Sequence, residues 1–561
     1  MIQPVSTLNP TCSLPPPNEM ILKWAQERPN EVYLRQIKDR QFIDFTFQEV
    51  ADQALKLVTA LQDLGAQPGD KIALISKNCA EWFIVDLALM LGDFVSVPIF
   101  PTAGSDTIAY CLTHSESKIL IAGKLDDSKA SVDAICTLPD LVTIALPYDS
   151  APPCKYQFTE LISDVQPSEF RPEHHDDKLM SLVYTSGTSG LPKGAMLTYG
   201  GFSWSVQRLI DHIGIQGGDR LFSYLPLAHI TERVYVFGSS IMGGVQTAFP
   251  ESLDTFIEDV KMHRPTLFIS VPRLWTLFQQ RIQDKLPQRK LNILLKIPFI
   301  NGIIKKKLID GLGLDKARVL GCGSAPVSPS LLEWYHSVGI NITEAWGMTE
   351  SFAYSTLNYP FKANKIGTVG NAGPGIELKI AEDEEILVRG QGLFSGYYKN
   401  DEATVESFNS DGWLYTGDIG HIDSDGYLTI LGRKKDTFKT AKGKFVAPVP
   451  IENKLFEYSR VEMMCLIGSG LPAPVLLVVP HEFTNFDHAR YERTTKKVIK
   501  RMNETLESHE QIKGVLMIKD PWSIENGILT PTLKIKRHVL EKKYHDQCAQ
   551  WPKGQLVVWE E

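Results

Sequence analysis

Residues 46–99 read TFQEVADQALKLVTALQDLGAQPGDKIALISKNCAEWFIVDLALMLGDFVSVPI. Phe47, Val50, Ala54, Leu57, Val58 and Leu61 recur at helical spacing, and the pattern stops at Gly65 and Pro68-Gly69-Asp70. An apolar strand restarts over 71–76, a second helix is predicted over 80–91 and a second strand over 94–99. The most apolar run, residues 82–100, carries Asp86 and Asp93 and is shorter than a clean membrane span. It reads as a buried helix feeding a strand, and no transmembrane helix is predicted. Helix 105–114 and strand 118–122 continue the alternation. Such βα repetition predicts an α/β fold with a doubly wound, mostly parallel sheet and helices on both faces.

At 561 residues the chain exceeds what one hydrophobic core supports. A Pro- and Asp-rich stretch at 147–177 reads as the connection into a second α/β unit. Short strands and Gly turns dominate 366–431, which predicts a small β-rich subdomain. Past Gly432 roughly 130 residues remain, the size of a small independent domain. The expected organisation is a large N-terminal domain over 1–432, containing the β-rich subdomain, and a small C-terminal α/β domain over 433–561. Hydrophobic content of 43% and charged content of 22% belong to an ordinary globular protein. A net charge of −8 argues against a nucleic-acid binder, which would carry a basic excess. The eight cysteines are scattered without a C-x-x-C pair, so neither a zinc site nor a disulfide framework is expected and a reducing cytoplasm fits. The first residues lack a basic and an apolar region, so no signal peptide is read.

Residues 184–194, Tyr-Thr-Ser-Gly-Thr-Ser-Gly-Leu-Pro-Lys-Gly, follow the strand-like run 179–183. Glycines and small hydroxyl residues leave room for an anion, backbone N–H groups can converge on it, and Lys193 supplies a mobile charge. This chemistry suits a polyphosphate. It is not a Walker A loop: counting G-x-x-x-x-G-K from Gly187 puts Pro192 where the second glycine belongs, and Gly194 follows the lysine. Four further segments stand out: 321–326 (GCGSAP), 344–350 (EAWGMTE), 415–418 (YTGD) with 432–436 (GRKKD), and 527–537 (GILTPTLKIKR).

Together these motifs resemble those of the adenylate-forming superfamily of acyl-CoA synthetases, luciferases and peptide-synthetase adenylation domains. The resemblance runs from about residue 180 to about residue 540. It implies a catalytic set of Lys193, Thr349, Glu350 and Lys534. Phosphates would meet Thr185, Ser186, Gly187, Thr188, Ser189, Gly190 and Lys193. Gly323, Ser324, Ala325, Glu344, Ala345 and Gly347 would line the nucleotide, Trp346 would wall the adenine, and Thr349 would donate to the α-phosphate. Asp418 would accept from the ribose hydroxyls, and Arg433 would hold ribose or phosphate. Glu350 with Thr185 would bind Mg²⁺, a hard cation that prefers oxygen ligands. Lys435 falls where the family swivels, which implies that the small C-terminal domain is mobile. Lys439, Gly443 and Phe445 fall where coenzyme A approaches.

The wording Leu-Thr-Pro-Thr-Leu-Lys at 529–534, with Leu533 where a glycine is commoner, is closest to the long-chain fatty acyl-CoA synthetases. Residues 224–233 (YLPLAHITER) resemble the segment beside the acid's carboxyl end and hold no aspartate to meet an α-amino group. His229 there is either next to the acid or a helix-start histidine. Trp275, in 271–275 (VPRLW), resembles the wall of the acyl pocket. The implied chemistry has two steps: a carboxylate attacks the α-phosphate of Mg·ATP, and then the thiol of coenzyme A displaces AMP. Transfer to a carrier-protein phosphopantetheine is the alternative acceptor, and a nucleotide- or lipid-binding protein without catalysis is the other class. Expected partners are the fatty acid, ATP and coenzyme A, with no nucleic acid; oligomeric state is open. Residues 291–309 combine apolar bulk with Lys296 and Lys305 to Lys307. The plainer reading is a helix packed by its apolar face with a solvated lysine edge. A peripheral contact with anionic lipid, on the inner membrane face of a cytoplasmic enzyme, is the other.

Overall fold

The computed structural model describes residues 16–173, 175–185, 191–456, 461–480, 487–524, 526–530, 534–552 and 554–560. The stretch 46–99 folds as its pattern requires. Thr46 starts the helix Phe47–Asp63 with a capping box: its hydroxyl accepts from the Glu49 N–H, and the Glu49 carboxylate accepts from the Thr46 N–H. Gly65 then turns the chain at φ 91°, a conformation glycine adopts without steric cost. Strands Lys71–Ile75 and Val95–Ile99 pair in parallel on either side of helix Ala80–Leu91 in the chain.

These strands sit in a sheet of seven. Its order is Tyr156–Gln157, Val142–Ala145, Ile119–Ala122, Lys71–Ile75, Val95–Ile99, Leu179–Thr185 and Lys193–Thr198. All neighbours are parallel except the last pair, whose antiparallel register sets Thr185 opposite Lys193. A second sheet of nine strands runs Asn371–Ala372, Thr356–Leu357, Ile342–Trp346, Val319–Cys322, Leu267–Ser270, Arg220–Phe222, Gln246–Phe249, Val32–Lys38 and Gln41–Thr46. Its middle is parallel and its flanks antiparallel. One large core packs between the sheets, built from helices Phe47–Asp63, Ala80–Leu91 and Tyr199–Ile213.

Helix Ala80–Leu91 is buried nearly all round, which is why its sequence shows no polar face. Asp86 within it is fully buried and pairs with fully buried Arg233 at 3.0 Å, and Ser96 donates to the same carboxylate. Arg233 lies over the rings of Trp82 and Phe237 and opens a π-helix, Arg233–Gly238.

Beyond the two large sheets, Glu377–Ile380, Glu385–Arg389, Leu414–Ile422 and Leu428–Arg433 form an antiparallel four-stranded sheet. Farther along, Val461–Ile467, Val475–Pro480, Gly514–Met517 and Val557–Trp559 make a mixed sheet with helices Pro448–Phe456, His488–Asn503 and Arg537–Ala549. Among the described residues no helix is long and apolar enough to cross a membrane, and the seven described cysteines are free. Residues 291–309 break into two helices, Gln288–Lys296 and Ile300–Leu312. The packed-helix expectation holds for one side only: Leu291 is buried, but Ile293, Ile297, Phe299, Ile300 and Ile303 are exposed.

Candidate active site

Open parallel sheets bind ligands beyond the carboxyl ends of their strands. In the nine-stranded sheet, Val319–Cys322 runs into Gly323 and Ser324, and Ile342–Trp346 runs into Gly347 and the short 3₁₀ turn Thr349–Ser351. A pocket there brings together Gly323, Ser324, Ala345, Trp346 and Gly347 from two of the motifs, and is also lined by Ile213, Thr231, Tyr235, Ile269, Val319, Ala353 and Leu357. No charged residue is among its lining. Ala325 lies just outside it and is exposed. Ser324 holds a left-handed φ of 66°, and its hydroxyl shares a 3.0 Å hydrogen bond with Thr231. A Cβ on Gly347 would come within 2.5 Å of the Ala353 backbone, so the chain itself demands glycine there.

At the rim, Asp418 and Arg433 face each other across two strands, with Arg433 Nε 2.8 Å from Asp418 Oδ1. The Trp346 indole N–H donates to the other oxygen of Asp418 at 2.8 Å. The residue expected at the adenine and the one expected at the ribose are thus locked to each other. Asp418 is buried, and burial raises its carboxyl above the usual range.

Glu350 is buried on the short turn, and the Tyr397 hydroxyl donates to Oε1 at 2.5 Å. Lys193 Nζ stands 5.0 Å over the ring of that same tyrosine. Tyr397 therefore joins the loop lysine to the candidate metal carboxylate. Sequence reasoning missed it, because the tandem Tyr397-Tyr398 carries no hint of a partner 47 positions away. The isolated bridge between Ala195 and Tyr397 places it. Thr185 donates to the Lys193 carbonyl at 3.3 Å, so the two strand ends frame the loop. The predicted phosphate residues Ser186, Gly187, Thr188, Ser189 and Gly190 lie outside the described residues.

Glu350 has no cation partner among the described residues, and no cluster of three or more metal-ligating side chains occurs among them. A lone carboxylate with a hydroxyl donor suits Mg²⁺, which takes one or two carboxylates and fills its remaining positions with phosphate and water.

Lys534, an electrostatic neighbour of Arg433, Asp418 and Glu350, donates its N–H to Thr530 Oγ1 at 3.0 Å and accepts from the Thr530 N–H at its carbonyl. Its side chain is open to the cleft rather than covered, yet protein crowds it enough to lower its pKa, with Arg433 adding to that and Asp418 and Glu350 opposing it. His229 feels Lys534 too: burial first and this cation second hold its imidazole down at about 3. His229 is a helix-start histidine, its Nδ1 accepting from the Thr231 N–H at 3.2 Å.

Several predicted residues sit elsewhere. Trp275 does not wall the pocket; it is fully buried in the neighbouring core, where its indole N–H holds the Gly321 carbonyl at 3.2 Å. Glu344 does not line the pocket either. Its carboxyl accepts from the Gly367 N–H and burial pushes it up to about 8. Lys439 and Phe445 lie on a two-stranded hairpin, Phe438–Lys439 with Phe445–Val446, joined through Gly443 at φ 77°. Lys439 Nζ stands 5.4 Å from the Phe445 ring, and Phe445 lines a depression with Thr437, Ala447 and Pro450. Lys435 occupies the exposed turn Lys434–Asp436 that leads to this hairpin. Also unforeseen is Glu232, whose buried carboxyl accepts from Ser223, Asn78 and the Tyr224 N–H and is pushed up to about 8 by burial.

The fold sets this cleft beyond the carboxyl ends of an open α/β sheet, where such folds take their ligands. Residues 21–398 match the AMP-binding enzyme family and 435–551 its C-terminal domain, so the chain belongs to that family. It is 28% identical to the long-chain-fatty-acid–CoA ligase FadD15 of Mycobacterium bovis, over 94% of this chain and 95% of that one. It is 30% identical to long chain acyl-CoA synthetase 7, peroxisomal, of Arabidopsis thaliana, over 88% of this chain and 79% of the relative. Among solved structures, the A-PCP didomain of carboxylic acid reductase from Segniliparus rugosus in complex with AMP aligns at a TM-score of 0.80 and 21% identity, covering 96% of this chain and 82% of that one. The anthranilate CoA ligase AuaEII in complex with anthranoyl-AMP aligns at 0.76 and 19%, covering 94% and 97%.

Proposed function

We propose that this chain is an ATP-dependent fatty acid–CoA ligase that activates long-chain acids through an acyl-adenylate, releasing pyrophosphate and then AMP. The observation that supports the substrate class is that the pocket lined by the candidate nucleotide residues is walled elsewhere mainly by Ile213, Ile269, Val319, Ala353 and Leu357, with no charge among its described lining. A hydrocarbon chain suits such a wall, whereas an α-amino group would be left without a counter-charge. Each further buried CH₂ adds about 0.8 kcal/mol at most.

In the first step the acid's carboxylate attacks the α-phosphorus and pyrophosphate leaves. Two anions must meet, so positioning and neutralisation do the work. Lys534 and Lys193 bring positive charge to the reacting phosphates, Arg433 and Asp418 fix the ribose, and Trp346 bounds the base. Glu350 and Thr185 would hold Mg²⁺, which when bound neutralises phosphate oxygens. In the second step a thiol attacks the acyl carbon and AMP leaves, with Lys439, Gly443 and Phe445 brought round by rotation of the residues that follow Lys435. A cytoplasmic enzyme in peripheral contact with a lipid surface goes with this reading, since its substrate partitions into bilayers. Pyrophosphate exchange over a panel of acids, followed by thioester assay with coenzyme A and with a phosphopantetheinyl carrier, tests it. Preference for acetate or an aromatic acid in kcat/KM would overturn the substrate class, and transfer to the carrier alone would overturn the acceptor.

A further inference from the structure

We propose that the helical hairpin over residues 288–312 docks this enzyme on an anionic lipid surface; the inference takes its purpose from the fatty-acid reading above. The hairpin is apolar on two sides. Leu291, Leu295, Ile304, Leu308 and Ile309 pack into the core under the nine-stranded sheet. A second apolar set faces outward: Ile293 is 62% exposed, Phe299 92% and Ile303 55%. Packing against the fold accounts for the first set and leaves the second without a partner among the described residues.

Charge decides what covers the outer set. Between Asp284 and Asp310 the chain carries Lys285, Arg289, Lys290, Lys296, Lys305, Lys306 and Lys307 and no Asp or Glu, although the whole protein has a net charge of −8. None of these cations makes an ion pair among the described residues. A second copy of the chain seated on the same face would bring this cation cluster against its own image. Anionic headgroups instead satisfy the cations while the apolar tip enters the acyl boundary, as interfacial helices do. The tip is built for this. Phe299, between Pro298 and Ile300, joins the helices Gln288–Lys296 and Ile300–Leu312 at a φ of 67°, a region that bulky residues avoid. Nothing within the fold rewards that strain, because its ring points into solvent.

Flotation of the full-length chain with phosphatidylcholine vesicles, with and without a large fraction of phosphatidylglycerol, tests the surface without any substrate. Binding is expected only to the anionic vesicles and should weaken with salt. Joint Lys305→Glu, Lys306→Glu and Lys307→Glu should lower the partition coefficient by roughly 100-fold, with the melting temperature preserved. In Phe299→Trp the tryptophan emission should shift to the blue on adding anionic vesicles. Equal flotation of the charge-reversed chain, or no emission shift, overturns the proposal. So does a vesicle-independent dimer that Phe299→Ser dissolves, since the face would then be a contact between copies. Failure of the acid panel with flotation intact would sink the fatty-acid reading and leave the docking surface standing.

Discussion

Tyr397→Phe removes one oxygen and keeps the ring, so it isolates the bond from Tyr397 to Glu350. The ring's other contacts survive: Lys193 Nζ at 5.0 Å and the Phe394 ring at 4.9 Å need only the aromatic face and edge. What is lost is a 2.5 Å hydrogen bond to a buried carboxylate. A hydrogen bond to a charged group contributes about 1.5–3 kcal/mol, and about 1.4 kcal/mol is tenfold. If that bond is what aims Glu350, kcat/KM for ATP in pyrophosphate exchange should fall by roughly 10- to 100-fold, and the Mg²⁺ concentration giving half-maximal rate should rise. ATP binding measured at equilibrium without acid should weaken in the same Mg²⁺-dependent way. Tyr397→Leu, which also strips the surface under Lys193, should lose more. A Tyr397→Phe enzyme within about twofold of wild type, at an unchanged Mg²⁺ midpoint, would refute both the positioning of Glu350 by Tyr397 and the metal role given to Glu350.

Lys534→Ala should cut adenylate formation by about 10² or more while thioester formation from supplied acyl-adenylate suffers far less; equal losses in both assays would contradict its assigned role. Lys435→Pro fixes φ without touching a reacting group, so pyrophosphate exchange should survive while thioester output collapses, and full thioester synthesis would place the pivot elsewhere. Glu344 titrates near 8 in the folded chain against an ordinary 4.5, so the folded state holds the extra proton between those values and loses stability as pH rises through that window. Glu344→Gln should therefore gain in Tm on wild type from about pH 5 to about pH 8, and a constant gap would count against the buried carboxyl. Asp86→Ala strands Arg233 without its partner and should cost about 3–5 kcal/mol in urea unfolding, whereas a loss under about 1 kcal/mol would mean that water or another group already screens the pair.

The α/β frame is legible in the chain because its elements bury whole faces and write that burial into the spacing of residues 46–99. Legibility fails where a side chain answers to a partner far along the chain. Asp86 reads as an interruption of an apolar run, and only the fold shows Arg233, 147 positions on, neutralising it. Trp275 has the right neighbours for a pocket wall, yet its indole N–H needs a buried acceptor and finds one on Gly321, which turns the ring into the core. The motifs single out Asp418, Arg433, Trp346 and Glu350, and the fold brings Trp346, Asp418 and Arg433 into contact. They do not show that Trp346 is tied to Asp418, or that Tyr397 spans Lys193 and Glu350, because these bonds cross between strands whose pairing no local pattern specifies.

On the proposed reading, the distribution of charge gives a physical reason for Lys534 to leave after the first step. Lys534 stands near Arg433, and the protein crowded around its exposed side chain together with that cation lowers its pKa. Asp418 and Glu350 offset this only in part, since Asp418 is committed to Arg433 at 2.8 Å. On the proposed reading, ATP brings the missing negative charge, so the pose is most favourable with the polyphosphate bound and least favourable once pyrophosphate has gone. The anchor for such a swing is in place one residue before the pivot: Lys434 Nζ bonds Asp383 at 2.6 Å and Glu385 at 2.8 Å, both in the four-stranded antiparallel sheet or its first turn. On that reading, with Lys434 paired to that sheet and Lys435 exposed beside it, rotation would be confined to the backbone that follows, and the strand carrying Arg433 would stay with Asp418 while Lys534 is withdrawn.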